Sequence, residues 1–218
     1  MQTPAFISFL RENIIFIELV CAIVGIMNYK KFRGTFWQYF IYYLIIIFLL
    51  EAISHLFLEK GSMVKKNFFK FLVFPLQFIF FYWLYAINSL KSKKLFLTLS
   101  FIYLIVFLIT NIFGLDKLSY VDATSYSTGI LLLLILTILE FIKQIKSDDI
   151  LLFKSSTMFY VNSGIAIYYL ATLPLIALNE YLAENMPNLW MYYWGLQLVL
   201  LYLLNILYSA AFIWTKPN

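Results

Sequence analysis

Apolar residues run along this chain in seven long blocks, and most polar residues fall between them. The blocks cover residues 13–29, 37–58, 68–89, 94–114, 124–145, 156–178 and 188–214. A bilayer core of about 30 Å takes about 20 helical residues to cross. Six of the blocks meet that length; the first is short and is expected to begin earlier, near Phe6, with Arg11 and Glu12 among the headgroups. Alternation of polar and apolar positions is absent, which argues against a β-barrel. The pattern predicts an all-α, polytopic transmembrane helical bundle, a single domain over residues 1–218 with seven helices. Six or eight helices remain compatible with it.

Composition agrees with the pattern. The chain is 63% hydrophobic and only 12% charged, where soluble proteins carry about a quarter charged residues. Mean hydropathy is +0.87. Abundant Phe, Tyr, Ile, Lys and Asn point to AT-rich coding, and so to a bacterium with an AT-rich genome. The net charge of +5 does not point to nucleic acid, because the basic residues sit in short clusters beside helix ends. There they act as topology determinants and lipid-headgroup contacts. The lone Cys21 lies in the first block, which leaves no intrachain disulfide and no multi-cysteine zinc site. Residues 1–10 carry no basic region and no small-residue cleavage site follows the first block, so that block is expected to stay as an anchor.

Charge placement gives an orientation. With the N-terminus outside, ten of the sixteen basic residues fall on inner segments: Lys30, Lys31, Arg33, Lys91, Lys93, Lys94, Lys143, Lys146, Lys154 and Lys216. Arg11, Lys60, Lys65, Lys66, Lys70 and Lys117 fall outside. The positive-inside rule then predicts N-out/C-in in a bacterial cytoplasmic (inner) membrane, with the basic second loop dissenting. Trp37, Trp83, Trp190, Trp194 and Trp214 lie near predicted helix ends, where amphipathic rings favour the interface. Pro187 is placed to open the last helix and Gly114 to close the fourth. No internal repeat is visible, so nothing supports a transporter built from inverted repeats.

Function must then reside in polar residues that lipid would not tolerate: Glu18, Glu51, His55, Gln77 and Gln197. At the helical rise, Glu18 lies roughly 8 Å and Glu51 roughly 10 Å below the outer helix ends, with His55 about one turn above Glu51. Gln77 and Gln197 fall roughly 12–14 Å down. Asn111 and Thr172 also belong to the outer half. Glu18, Cys21, Ala22 and Gly25 share one side of the first helix; Glu51, Ser54 and His55 share one side of the second. Gln197, Asn205 and Tyr208 make a stripe on the seventh helix, and Asn162, Ala166 and Tyr169 another on the sixth. Gln77, Asn162, Gln197 and Asn205 would serve equally as interhelical hydrogen-bonding glue, and His55 could simply reach the interface. Glu140, near Lys143 and Lys146, is expected in a solvated, headgroup-facing cluster.

Glu18, Glu51 and His55 have the side-chain types of a zinc or iron site. A single histidine, however, cannot supply the several that seven-helix hydrolases of the alkaline ceramidase type place around zinc. No metal and no cofactor is expected. Glu51 and His55 could act as acid and base on a lipid, but Ser54 has no recognisable nucleophile elbow, and no catalytic residue is assigned. Walker, dinucleotide, kinase and EF-hand motifs are absent.

Several residues carry a resemblance: Glu18 ahead of Tyr29-Lys30-Lys31, Glu51, the Phe80-Phe81-Tyr82 run, Ser147-Asp148-Asp149 with Lys154 and Met158-Phe159, and a basic end after Trp214. In these the chain resembles small multi-pass membrane proteins of Bacteroidetes-type bacteria. The resemblance brings no established function, and implies a carboxylate in many of them where Gln77 stands here. The leading expectation is a protein that binds or senses a small molecule or lipid in an outer-facing polar pocket and signals to a cytoplasmic partner. The alternatives are a homo-oligomeric membrane effector or conduit, and an intramembrane lipid-modifying enzyme. Membrane lipids are expected partners; nucleic acid is not.

Overall fold

The computed structural model describes residues 4–59, 61–113, 123–146 and 154–216. Gly114, Lys60, Lys117, Asp116, Asp122 and the 147–149 motif lie outside the described residues. Those described are largely helical, with no strand. The helices are α1 (Ala5–Met27), the short α2 (Tyr29–Phe32), α3 (Trp37–Phe57), α4 (Met63–Ser89), α5 (Lys93–Phe113), α6 (Ala123–Lys146), α7 (Thr157–Asn185) and α8 (Pro187–Trp214). Six of them, α3 to α8, are long and apolar enough to cross a membrane. Helix α1 has 23 residues and begins at Ala5, as the early start near Phe6 anticipated, but it carries Arg11, Glu12 and Glu18. Pro187 opens α8, where its missing N–H costs nothing.

The chain forms two compact units, residues 1–51 with 143–218 and residues 52–142. In the first, α1 and α8 run parallel. Ile7 and Leu10 pack on Leu198, the Tyr202 hydroxyl donates to the Leu10 carbonyl at 3.0 Å, and Cys21 hydrogen-bonds Ser209. Near their far ends, Gly25 approaches Phe212. Small residues permit this approach: a Cβ on Gly195 would stand 2.8 Å from Ile7. Helix α7 runs antiparallel to α8, from the Thr157–Thr215 hydrogen bond of 2.6 Å to the Trp190 indole donating to Asn179 at 2.8 Å. Helix α3 is antiparallel to α1, with Ile41 against Gly25 and the Tyr29 and Tyr42 hydroxyls 2.7 Å apart. The Lys31 ammonium donates to the Phe212 carbonyl at 2.9 Å, capping the end of α8; its partial burial there lowers its pKa.

In the second unit, α4 and α6 run parallel, with α5 antiparallel to α4. Tyr126 meets Phe74 and Phe78, the Tyr82 hydroxyl donates to the Gly129 carbonyl at 2.9 Å, and Ser89 reaches Glu140. Phe107 on α5 lies against Phe71, and Tyr103 against Phe78 and Tyr82. Helix α4 widens into π-helical turns at Phe69–Val73 and Trp83–Ser89. The first immediately precedes Pro75, whose ring and absent N–H break the ordinary ladder. The second ends where Ser92 N–H returns to the Ala86 carbonyl at 2.7 Å and Lys91 turns left-handed at φ 55°.

Candidate functional site

A polar centre drawn from four helices occupies the interior of the first unit. Glu18 on α1 is in helical phase with Ile7, Leu10, Cys21, Ala22 and Gly25, all buried. Its carboxyl therefore turns inward with them. On α3, Glu51 follows the phase of Trp37, Phe40 and Leu44, also buried. The two carboxyls stand within electrostatic reach of each other. Tyr43 and Tyr202 lie within reach of Glu18, and Tyr168 within reach of both acids. The Tyr168 hydroxyl also hydrogen-bonds Gln197. One turn on, Thr172 donates to the Tyr168 backbone carbonyl at 2.8 Å, beside Pro174, which removes one rung of the α7 ladder. Cys21, fully buried, closes the centre on the side of Ser209.

One atom in this centre is unsatisfied. Glu18 Oε2 is sealed inside the protein with no hydrogen-bond partner among the described residues. Buried polar atoms are nearly always partnered, and an orphaned one costs about 1–3 kcal/mol, more when charged.

The structure thus brings together Glu18, Glu51 and Gln197 around Tyr168. Gln77 and His55 belong to the second unit. His55 is exposed in the last turn of α3 and Gln77 is half-buried on α4. Asn205 is buried, but its amide donates to Leu201 on its own helix at 3.0 Å rather than across to a neighbour. Tyr43, Tyr168 and Tyr202 are functional candidates that hydropathy passed over, since a tyrosine inside a long apolar block is no anomaly. Among the described residues, no group of three His, Cys, Asp or Glu side chains is placed to hold a metal ion.

Glu140 corrects the sequence reading. It is 1% exposed rather than facing headgroups, and its Oε2 accepts from the Ser89 hydroxyl at 2.5 Å. The fully buried Tyr85 lies within electrostatic reach of it. The cause is helical phase: Tyr126, Ile130, Leu133, Thr137 and Glu140 recur at spacings of three and four, and all but Glu140 line the buried side as expected of their type. The carboxyl follows them inward, and the π-helical turn of α4 delivers Ser89 to meet it.

Compared with protein-family models, with curated proteins and with solved structures, the chain matches none.

Proposed function

We propose that this is a seven-span, N-out/C-in protein of a bacterial cytoplasmic membrane that binds a small molecule in the polar centre around Glu18 and Glu51. Occupancy of the centre is signalled to a cytoplasmic partner through the basic inner loops. The reading is carried by the unpartnered, buried Oε2 of Glu18 beside a second carboxyl.

The seven-span topology draws support from helix direction. Helices α1 and α8 run parallel, which an odd number of crossings requires if both span. Helices α3 and α7, each antiparallel to one of that pair, share the opposite direction, and three helices separate them in the chain. Helix α1 also exposes Phe6, Phe9, Phe16, Val20, Ile23 and Met27 along one side. The stripe is interrupted only at Glu12 and Asn13, and its apolar length from Phe16 to Met27 suits lipid better than water.

Thermal melting of the detergent-solubilised protein against a panel of amines, amino acids, polyols and lipid headgroup analogues tests the binding reading. At least one class should stabilise wild type; at a hundredfold excess over Kd the gain is about 2.7 kcal/mol. Glu51→Gln should abolish the gain and His55→Ala should preserve it. If no member stabilises the protein, or Glu51→Gln responds like wild type, the centre is not a ligand site. Solute flux through liposomes would instead favour an oligomeric conduit.

A further inference from the structure

At one end of the first unit a cation is held on an aromatic stack. Ile7 and Leu10 lock α1 onto α8 against Gly195 and Leu198, and the Tyr202 hydroxyl pins the Leu10 backbone. Arg11 follows one turn after Ile7, so it leaves α1 on the packed side. Its guanidinium lies over the Trp194 ring, 5.5 Å from the centroid. Trp194 stacks in turn on Trp190, the rings 4° from parallel and 6.4 Å apart between centroids. The Trp190 indole is tied to Asn179 on α7. Three helices thus fix where the charge sits. Arg11 is nonetheless exposed, and among the described residues no carboxylate pairs with its guanidinium. Its N–H donors are open to an acceptor.

Depth along α8 identifies that acceptor. Trp194 and Trp214 stand about 30 Å apart at the helical rise, the thickness of a bilayer's hydrocarbon core. With α8 across the bilayer, these two rings mark its interfaces, and the guanidinium on Trp194 lies level with the lipid phosphates. We propose that Arg11, held on Trp194, binds the phosphate of a membrane phospholipid. A planar guanidinium fork matches two phosphate oxygens and makes short, charge-assisted hydrogen bonds to them. Glu12, next in sequence and exposed, is turned about 100° away round α1 and leaves the approach clear. An acidic protein segment would have to enter the headgroup layer and displace phosphates already concentrated there. The site lies about 10 Å along α1 from Glu18 and needs nothing from the polar centre.

Short-chain lipids titrated into the protein, purified in a phosphate-free sugar detergent and read by native mass spectrometry, test the site. Dihexanoylphosphatidylglycerol and dihexanoylphosphatidylcholine carry the phosphate, dihexanoylglycerol lacks it, and inorganic phosphate lacks the chains. Wild type should bind at least one of the phospholipids ten-fold or more tightly than dihexanoylglycerol. Inorganic phosphate should not displace it at equal concentration. Arg11→Gln should weaken phospholipid binding at least ten-fold, and Arg11→Lys, which keeps the charge but loses the fork, should recover only part of it. Trp194→Leu should weaken binding with Arg11 still present. Equal binding of dihexanoylglycerol, or wild-type affinity in Arg11→Gln, overturns the assignment. So does displacement at equal concentration by inorganic phosphate, or by hexaglutamate, which would mark a free-anion or protein contact instead. The wild-type comparison among lipids decides the matter even if a variant fails to fold.

Discussion

Gly129→Leu is expected to cripple the second unit, and even Gly129→Ala should cost about 1–3 kcal/mol, the usual price of overpacking. A Cβ at this position would stand 2.5–2.7 Å from three atoms of the Phe78 ring. The ring has nowhere to go. Phe78 is fully buried, with Tyr103 and Tyr126 each 5.4 Å away between ring centres and Tyr82 at 6.3 Å. Gly129 also supplies the carbonyl that accepts from Tyr82, so pushing α6 outward would break that hydrogen bond as well. Detergent-titrated unfolding should show both variants destabilised, leucine more than alanine. An alanine variant as stable as wild type would mean that α4 and α6 do not touch there.

Glu140→Ala should destabilise by about 2–4 kcal/mol, since it opens a cavity and removes the acceptor that the Ser89 hydroxyl donates to. Glu140→Gln keeps an acceptor in place and should cost less than about 1 kcal/mol, the scale of one net hydrogen bond. Combining Ser89→Ala with Glu140→Ala tests the contact itself. The pair should couple by about 0.5–3 kcal/mol in a double-mutant cycle, as groups in direct contact do. A solvated glutamate at the headgroups would behave otherwise: its loss would stay within about 0.5 kcal/mol and show no coupling to Ser89.

Glu140 also shows what the sequence hid. Hydropathy located α3 and α8 within a residue of their expected bounds, while α4 begins five residues before its block and α7 runs seven residues past its own. It could not locate their faces, because a membrane helix is apolar all round and yields little amphipathic signal. In sequence Glu140 stands beside Lys143 and Lys146, and nothing in that run announces that Ser89 and Tyr85 meet it in space. The phase of the Tyr126–Ile130–Leu133–Thr137 stripe was the available clue. Glu18 was easier, since Cys21, Ala22 and Gly25 mark a packing face by their small size. The partners that complete its centre, Tyr43, Tyr168 and Tyr202, were invisible among many tyrosines. Pairing between distant helices selects these three, and single-helix patterns do not carry that information.

The claim that Glu18 holds a ligand is tested most directly by native mass spectrometry of wild type beside Glu18→Gln, both released gently from membranes. Wild type should retain a small molecule of one defined mass, at near-stoichiometric occupancy, that is lost or sharply reduced in the variant. An empty wild type, or the same bound mass at the same occupancy in a folded Glu18→Gln, would contradict the account.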